Sequence, residues 1–316
     1  MNKRKLGKSN IEVGPLAFGT NVMGWTADAA TSYAMLDYFV ARGLNLVDTA
    51  DVYSRWAPGH KGGESEAIIG EWIAKRKGNR EKIVLATKVG IEMGPNDKGL
   101  SRAYIMRAVD ASLKRLQTDY IDLYQSHQDD ASVPQEETLS AYADLIRQGK
   151  VRVIGASNFT PERLAEALAI SKRTGLPRYE TLQPWYNLYD RKDFEGAPFD
   201  LCKRENISVI TYFSLASGFL TGKYRKPKDA EGKARGYRVK DMLNERGMRI
   251  LAALDSVGAE LEATPAQVSL AWLVAKGVTA PIASATTVAQ LEEIVESTEI
   301  ELSVDQVKRL DSASAY

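Results

Sequence analysis

Eight short apolar runs constrain this chain more than any other feature; they are separated by longer segments in which apolar residues recur at helical spacing. The runs cover 16–19, 44–48, 83–88, 120–125, 151–157, 179–183, 207–213 and 278–283. In most of them apolar residues are neighbours and do not alternate with polar ones, the pattern of parallel strands covered on both faces. Between the runs, Met35, Leu36, Phe39 and Val40, then Ile68, Ile69, Trp72 and Ile73, then Ile105, Val109, Leu113 and Leu116 each form one stripe along a helix. Thr160 followed by Pro161 marks a helix start. The pairs Thr264 and Gln267, Thr287 and Gln290, and Ser303 and Gln306 fit the reciprocal capping box.

Alternation of strand and helix leaves an open doubly wound sheet or a closed α/β barrel. Eight strands favour the (β/α)8 TIM barrel, which uses this much chain as a single unit, here residues 1–316. Residues 3–13 read as an N-terminal β-hairpin with its turn at 7–10. Between the seventh and eighth strands, 223–240 carries eight Lys and Arg against Asp229 and Glu231, so 8 minus 2 gives +6. The whole chain has 42 basic and 41 acidic side chains. That balance argues against a nucleic-acid footprint or a polybasic membrane surface and confines any anion site to one locality. No run approaches the ~20 apolar residues of a membrane span, and the basic start lacks the apolar core of a signal peptide, so a cytoplasmic protein is expected. Cys202 is the only cysteine, which excludes an internal disulfide and fits a small buried hydrophobe. With two histidines, His60 and His127, and no cysteine cluster, no metal site is expected.

A barrel concentrates chemistry at the carboxyl ends of its strands. Asp48 closes the second run, Tyr53 follows in the next loop, Lys88 closes the third and His127 lies just beyond the fourth. Singly, each has an ordinary role: an aspartate forms turns, a loop tyrosine fills space and a lysine snorkels to water. Together they suggest more. A lysine ending an apolar strand needs a carboxylate partner, and Asp48 on the adjacent strand is placed to be one. An ammonium beside a phenol favours the phenolate and so makes Tyr53 a better proton donor near neutral pH.

The segments LNLVDTADVYS, GGESEAIIG, VLATKVG, DYIDLYQSH, GKVRVIGASNF, LQPWYNLYDR, GFLTGKY and ATTVAQLEE resemble the aldo-keto reductases in order, spacing and content, from Leu6 to about Leu310. The pattern is closest to the bacterial reductases related to potassium-channel β subunits. This resemblance implies a barrel that binds NADPH in extended form and reduces an aldehyde or ketone to an alcohol. It implies that Asp48, Tyr53, Lys88 and His127 are the catalytic tetrad, with Tyr53 protonating the carbonyl oxygen, Lys88 and Asp48 tuning it and His127 orienting the carbonyl. Trp25 and Trp56 are expected to wall the substrate pocket.

By the same resemblance Ser157, Asn158 and Gln183 hold the nicotinamide carboxamide and Tyr212 stacks on its ring. Gly19, Thr20, Asp48, Phe213, Ser214 and Leu215 are also expected to bind the cofactor. Because Thr160 caps the following helix, Ser157 and Asn158 are left for another partner. Small residues around Gly218 suit a pyrophosphate, with Lys223 and Arg235 as cations in a basic flap closing over the cofactor. Thr286, Gln290 and Glu293 align with the adenosine end, whereas Ala283 stands for a common proline and Ile294 for a common asparagine. NADPH is favoured by the basic flap, and NADH is the alternative.

Two other functions compete. Lys88 could form a Schiff base in a lyase, or the chain could be a cofactor-bound regulatory subunit of channel-β type. The physiological substrate and the oligomeric state are not fixed by these residues.

Overall fold

The computed structural model describes residues 2–233 and 236–316. Arg235, expected in the basic flap, lies outside the described residues. The chain begins with an antiparallel hairpin of β1 (Arg4–Lys5) and β2 (Glu12–Val13). It then forms eight parallel strands: β3 (Ala17–Gly19), β4 (Leu46–Asp48), β5 (Val84–Val89), β6 (Ile121–Ser126), β7 (Val151–Ser157), β8 (Tyr179–Gln183), β9 (Ser208–Val209) and β10 (Ile282–Ala283). They pair in the order β10-β3-β4-β5-β6-β7-β8-β9. The two ends of that series meet: the Thr279 N–H donates to the Val209 carbonyl at 2.8 Å and the Ile282 N–H to the Thr211 carbonyl at 2.9 Å. These bonds close the sheet into a (β/α)8 barrel with helices around it.

All eight expected strands form, but the last two are shorter than their apolar runs. Pro281 has no N–H for a ladder, so regular pairing with β3 starts only at Ile282. The seventh run ends where Phe213 turns to φ 54°, a left-handed backbone that no strand continues through. The expected helix starts are present. Thr160 accepts from the Arg163 N–H, and Thr264 with Gln267 and Ser303 with Gln306 make both arms of the capping box. Thr287 makes one arm only. The Gln290 side chain turns to accept from the Thr286 N–H at 3.0 Å and the Thr286 hydroxyl at 2.9 Å, which corrects the expected box at that helix.

Leu6 and Val13 from the hairpin are fully buried in one cluster with Ala17, Leu46, Val84, Leu123 and Ile210, side chains of the barrel interior. The hairpin therefore plugs one end of the barrel. It is anchored there by the Gly7 N–H on Ser208 Oγ at 2.8 Å, the Ser208 hydroxyl on the Lys5 carbonyl at 2.9 Å and the Lys8 N–H on the Glu180 carboxylate at 2.7 Å. A second, larger core fills the layer between strands and helices, with Phe18, Phe39, Trp72 and Trp272 among its fully or almost fully buried members. Packing inside the barrel is close: a Cβ at Gly155 of β7 would lie 2.1 Å from Thr181 Oγ1, so that strand needs glycine there. With one end closed, the opposite mouth, at the carboxyl ends of the strands, is the one open to chemistry.

Candidate active site

Asp48 is the last residue of β4 and pairs in register with Ala86 of β5, two residues before Lys88, so both side chains point to the same side and meet at the open mouth. Lys88 is completely buried, and its three N–H groups are all used. They donate to Asp48 Oδ2 at 2.5 Å, the Thr49 carbonyl at 2.8 Å and the Tyr53 hydroxyl at 3.2 Å. Burial pushes the Lys88 pKa down, but the charge and hydrogen bonds of Asp48 and Tyr53 hold it above its ordinary value, so the side chain stays an ammonium. An ammonium with no free lone pair and no exposed surface cannot attack a carbonyl. The burial and pairing of Lys88 thus favour a supporting role toward Tyr53 over the Schiff-base reading.

Asp48 Oδ1 accepts from Gln183 Nε2 at 2.8 Å and Gln125 Nε2 at 3.2 Å, and Gln183 also donates to Gln125 Oε1 at 3.2 Å. The carboxylate is thus fully engaged, which satisfies the condition for burying an ion pair. Tyr53 is fixed from behind as well, since the Gly63 and Ser65 N–H groups donate to its carbonyl at 2.9 and 3.3 Å. The His127 ring stands edge-on to the Tyr53 ring, centroids 6.0 Å apart. Burial, reinforced by the Lys88 charge, holds the His127 pKa well below the usual 6.5, so the imidazole is neutral. Its Nδ1 is buried and has no hydrogen-bond partner.

Tyr53, His127 and Asp48 form part of the wall of a cavity of about 1000 Å³, while Lys88 sits wholly behind Tyr53. At one end are Trp25, Trp56, Val52 and Ile91. Trp56 lies 5.6 Å from Tyr53 and 5.9 Å from Trp25, ring to ring and edge-on, so the three aromatics make a continuous apolar wall. From there the cavity runs past Gly19, Ser157, Asn158, Gln183 and Tyr212, along Phe213, Ser214, Leu215, Gly218 and Lys223, to Thr286, Gln290 and Glu293. The residues expected at the site from the sequence are therefore gathered on one cavity, with two exceptions among those described: Lys88, already placed, and Thr20. Thr20 is fully buried off the cavity, its hydroxyl donating to the Asp48 carbonyl at 2.9 Å and accepting from Ser65 Oγ at 2.8 Å. It ties the residue after β3 to the end of β4.

Ser157 and Asn158 line the cavity and also have partners within the chain. The Ser157 hydroxyl donates to the Gln183 carbonyl at 2.9 Å, and Asn158 Nδ2 donates to the His127 carbonyl at 2.9 Å and to Ser157 Oγ at 3.1 Å. The Tyr212 hydroxyl donates to Asn158 Oδ1 at 2.7 Å. The basic segment is divided too. Lys223 and Lys233 reach the cavity wall, whereas Arg225 is held by Asp255 in a two-bond ion pair of 2.9 and 2.7 Å, and the Arg238 guanidinium lies over the Phe213 ring at 4.9 Å. Just before the basic segment, Phe213, Ala216 and Ser217 adopt φ of 54°, 46° and 57° beside Gly218 at 93°. Left-handed backbone at non-glycine residues costs about 1–2 kcal/mol each, and such strain gathers where a ligand must be cradled.

Sequence reasoning did not single out Asn21, Ile91, Gln125, Lys233 or Ser284. Four of these line the cavity and Gln125 supports Asp48 from behind. Asn21, Ile91 and Ser284 follow β3, β5 and β10 by one or two residues, a position that could have marked them. Among the described residues no three His, Cys, Asp or Glu side chains are grouped to hold a metal ion, and no helix is long and apolar enough to cross a membrane.

The dimensions of the cavity fit a dinucleotide with room for a small substrate. Its middle and far wall carry the donor-rich side chains, two lysines and strained glycine-containing loop that nicotinamide, pyrophosphate and phosphate groups require. A family model described as the aldo/keto reductase family matches residues 15–315. The chain is 34% identical to the protein tas of Escherichia coli (strain K12), covering 99% of this chain and 97% of that protein. It is 35% identical to the uncharacterized oxidoreductase YrpG of Bacillus subtilis (strain 168), over 97% and 94% of the two chains. A probable voltage-gated potassium channel subunit beta of Arabidopsis thaliana is 33% identical over 95% of this chain and 92% of its own. With a barrel whose open mouth holds Asp48, Tyr53, Lys88 and His127 together, and a family match over almost its whole length, this chain belongs to the aldo/keto reductase family, whose enzymes use nicotinamide cofactors to oxidise or reduce small carbonyl compounds.

Proposed function

We propose that this protein is an NADPH-dependent reductase that converts an aldehyde or ketone to its alcohol, acting as one barrel domain in the cytoplasm. A single observation carries the reading: Tyr53 lines the cavity while its hydroxyl oxygen accepts a hydrogen bond from the Lys88 ammonium, which Asp48 holds. When bound, the reduced nicotinamide supplies the hydride. The residues of the chain do the rest. His127, neutral and beside Tyr53, donates a ring N–H to the carbonyl oxygen and fixes its position. Tyr53 delivers a proton to that oxygen as negative charge develops on it. Lys88 stabilises the phenolate left behind, an anion that a buried ammonium favours. Trp25, Trp56 and Ile91 exclude water and pack against the substrate's apolar part.

Gln183, Ser157 and Asn158 supply the amide-binding groups for a carboxamide, and Tyr212 the aromatic face. Asn158 Oδ1 accepts one hydrogen bond, from the Tyr212 hydroxyl, and keeps a second lone pair for the carboxamide. Lys223 and Lys233 favour the phosphorylated coenzyme, because each places an ammonium on the wall where phosphates would lie. The test is a panel of aromatic, aliphatic and sugar aldehydes followed by loss of NADPH absorbance, with NADH run in parallel. Turnover with at least one aldehyde supports the reading, and absence of turnover across the panel with cofactor bound argues against it. That second outcome favours a cofactor-bound regulatory subunit, the reading suggested by the channel-β name of the Arabidopsis relative.

A further inference from the structure

We infer that a second cavity, behind the Tyr53 loop and sharing no wall with the first, binds a small organic ammonium ion on the Asp51 carboxylate. The cavity has a volume of about 220 Å³ and is bordered by Asp51, Met93, Asp97, Tyr104, Arg107 and Arg115. Asp51 is 98% buried in the sense that only 2% of its surface is exposed, and neither carboxylate oxygen has a hydrogen-bond partner. The Val52 N–H lies near enough to favour its charge but is not aligned to donate. Leaving a carboxylate buried and unsatisfied is costly, so the site lacks a donor.

The charges around Asp51 identify that donor. Arg107 pairs with Asp97 at 3.2 Å, and Arg115 Nε pairs with Glu66 Oε2 at 2.7 Å, while Glu66 Oε1 accepts from the Thr87 hydroxyl at 2.6 Å. Once Asp51 gives up its proton, three carboxylates stand against two guanidiniums, and the negative charge left without a partner is that of Asp51. An anion would have to break an existing ion pair to bind. A hard metal ion wants about six oxygens and would find essentially one carboxylate. A cation with N–H donors and a short hydrocarbon body suits the place better, because the Met93 side chain and the Tyr104 ring supply an apolar and aromatic wall. The volume, about seven waters at ~30 Å³ each, limits the ligand to a few carbons.

The groups facing Asp51 also set the pH behaviour. Burial, then the Glu66 charge, push its carboxyl up to about 8, with Arg115 and Lys88 opposing. Asp97, Arg107 and Tyr104 complete the ring of titratable neighbours. Below pH 8 an arriving cation must therefore displace a proton. Isothermal titration of the full-length protein with ethylammonium chloride at neutral pH, in phosphate and in Tris, tests this. The expected result is a saturable heat that differs between the buffers by the release of up to one proton and is not reproduced by sodium chloride. Asp51→Asn should weaken binding roughly tenfold to a hundredfold, the loss of one charge-assisted hydrogen bond. Ala108→Leu, which keeps the carboxylate and fills the space, should weaken it as well. Absence of a saturable heat in the unaltered protein overturns the inference, as does an affinity in either variant equal to that of the unaltered protein.

Discussion

Gln183 donates to Asp48 Oδ1 at 2.8 Å while Lys88 occupies Oδ2, so one carboxylate ties a cavity-lining amide to the ammonium behind Tyr53. Asp48 is in this sense the keystone of the mouth, and it touches β4, β5, β6 and β8 through Lys88, Gln125 and Gln183. Replacing it by Asn keeps the shape but leaves a fully buried ammonium without its counter-charge. Breaking a buried pair in this way costs about 3–5 kcal/mol. Urea unfolding of Asp48→Asn should show a loss of that order together with a fall in turnover. A variant as stable as the unaltered protein would mean that Lys88 is held by other groups.

His127 is expected to stay neutral where an ordinary histidine titrates. A solvated imidazole is half protonated near ~6.5, but burial and the Lys88 charge hold His127 well below that. Its ring nitrogens, followed by NMR, should show a neutral tautomer across the range in which a free imidazole gains its proton. Protonation of the ring in that range would remove the physical basis for its role as a neutral donor.

The raised Asp51 pKa has a sign that stability measurements can read. The folded carboxyl holds its proton up to about pH 8, whereas in the unfolded chain it loses it near its ordinary value of 3.8. Between those values the folded state binds more protons, so this group's contribution to stability falls as pH rises from about 4 to about 8 and is fully unfavourable above that. Asp51→Asn should therefore be more stable than the unaltered protein at pH 9, with the advantage shrinking toward pH 5. A difference independent of pH would contradict the raised pKa.

The hairpin plug and the open mouth that holds Tyr53 lie at opposite ends of the barrel, so stability and activity should separate. Leu6→Ala removes a fully buried side chain from the barrel interior. It should cost about 2–5 kcal/mol and leave kcat nearly unchanged below the unfolding temperature.

Lys223 reaches the cavity wall from the basic segment. Lys223→Ala should weaken NADPH more than NADH in fluorescence titrations. Equal weakening would place the ammonium at the pyrophosphate, and no change would place it on ordinary surface.

Much of this arrangement is legible in the sequence because the barrel converts position along a strand into position in space. Asp48, Lys88, Ser157 and Gln183 stand at the ends of apolar runs, and the register of β4, β5, β7 and β8 brings those ends to one mouth. What the residues do to one another is less legible. Gln125 reads as an isolated polar residue in a strand, and only the register of β6 beside β5 gives it Asp48 as a partner. Asp51 reads as a turn former in the same DTADVY segment that supplies Asp48 and Tyr53, and its lack of a partner depends on Arg115 being claimed by Glu66. The basic segment has an obvious charge but not an obvious target, since Arg225 is taken by Asp255 from the helix Glu245–Leu261, thirty residues further along. Pairings between distant segments decide these cases, and no local pattern encodes them.

Tyr53 tests the whole reading most directly. Tyr53→Phe removes the hydroxyl that Lys88 addresses and leaves the ring against Trp56 and His127. Aldehyde reduction should fall by orders of magnitude while the Kd for NADPH, measured by fluorescence, stays close to that of the unaltered protein. Undiminished aldehyde reduction by the phenylalanine variant would show that the proton comes from elsewhere and that the phenol, ammonium and carboxylate do not form the reacting centre.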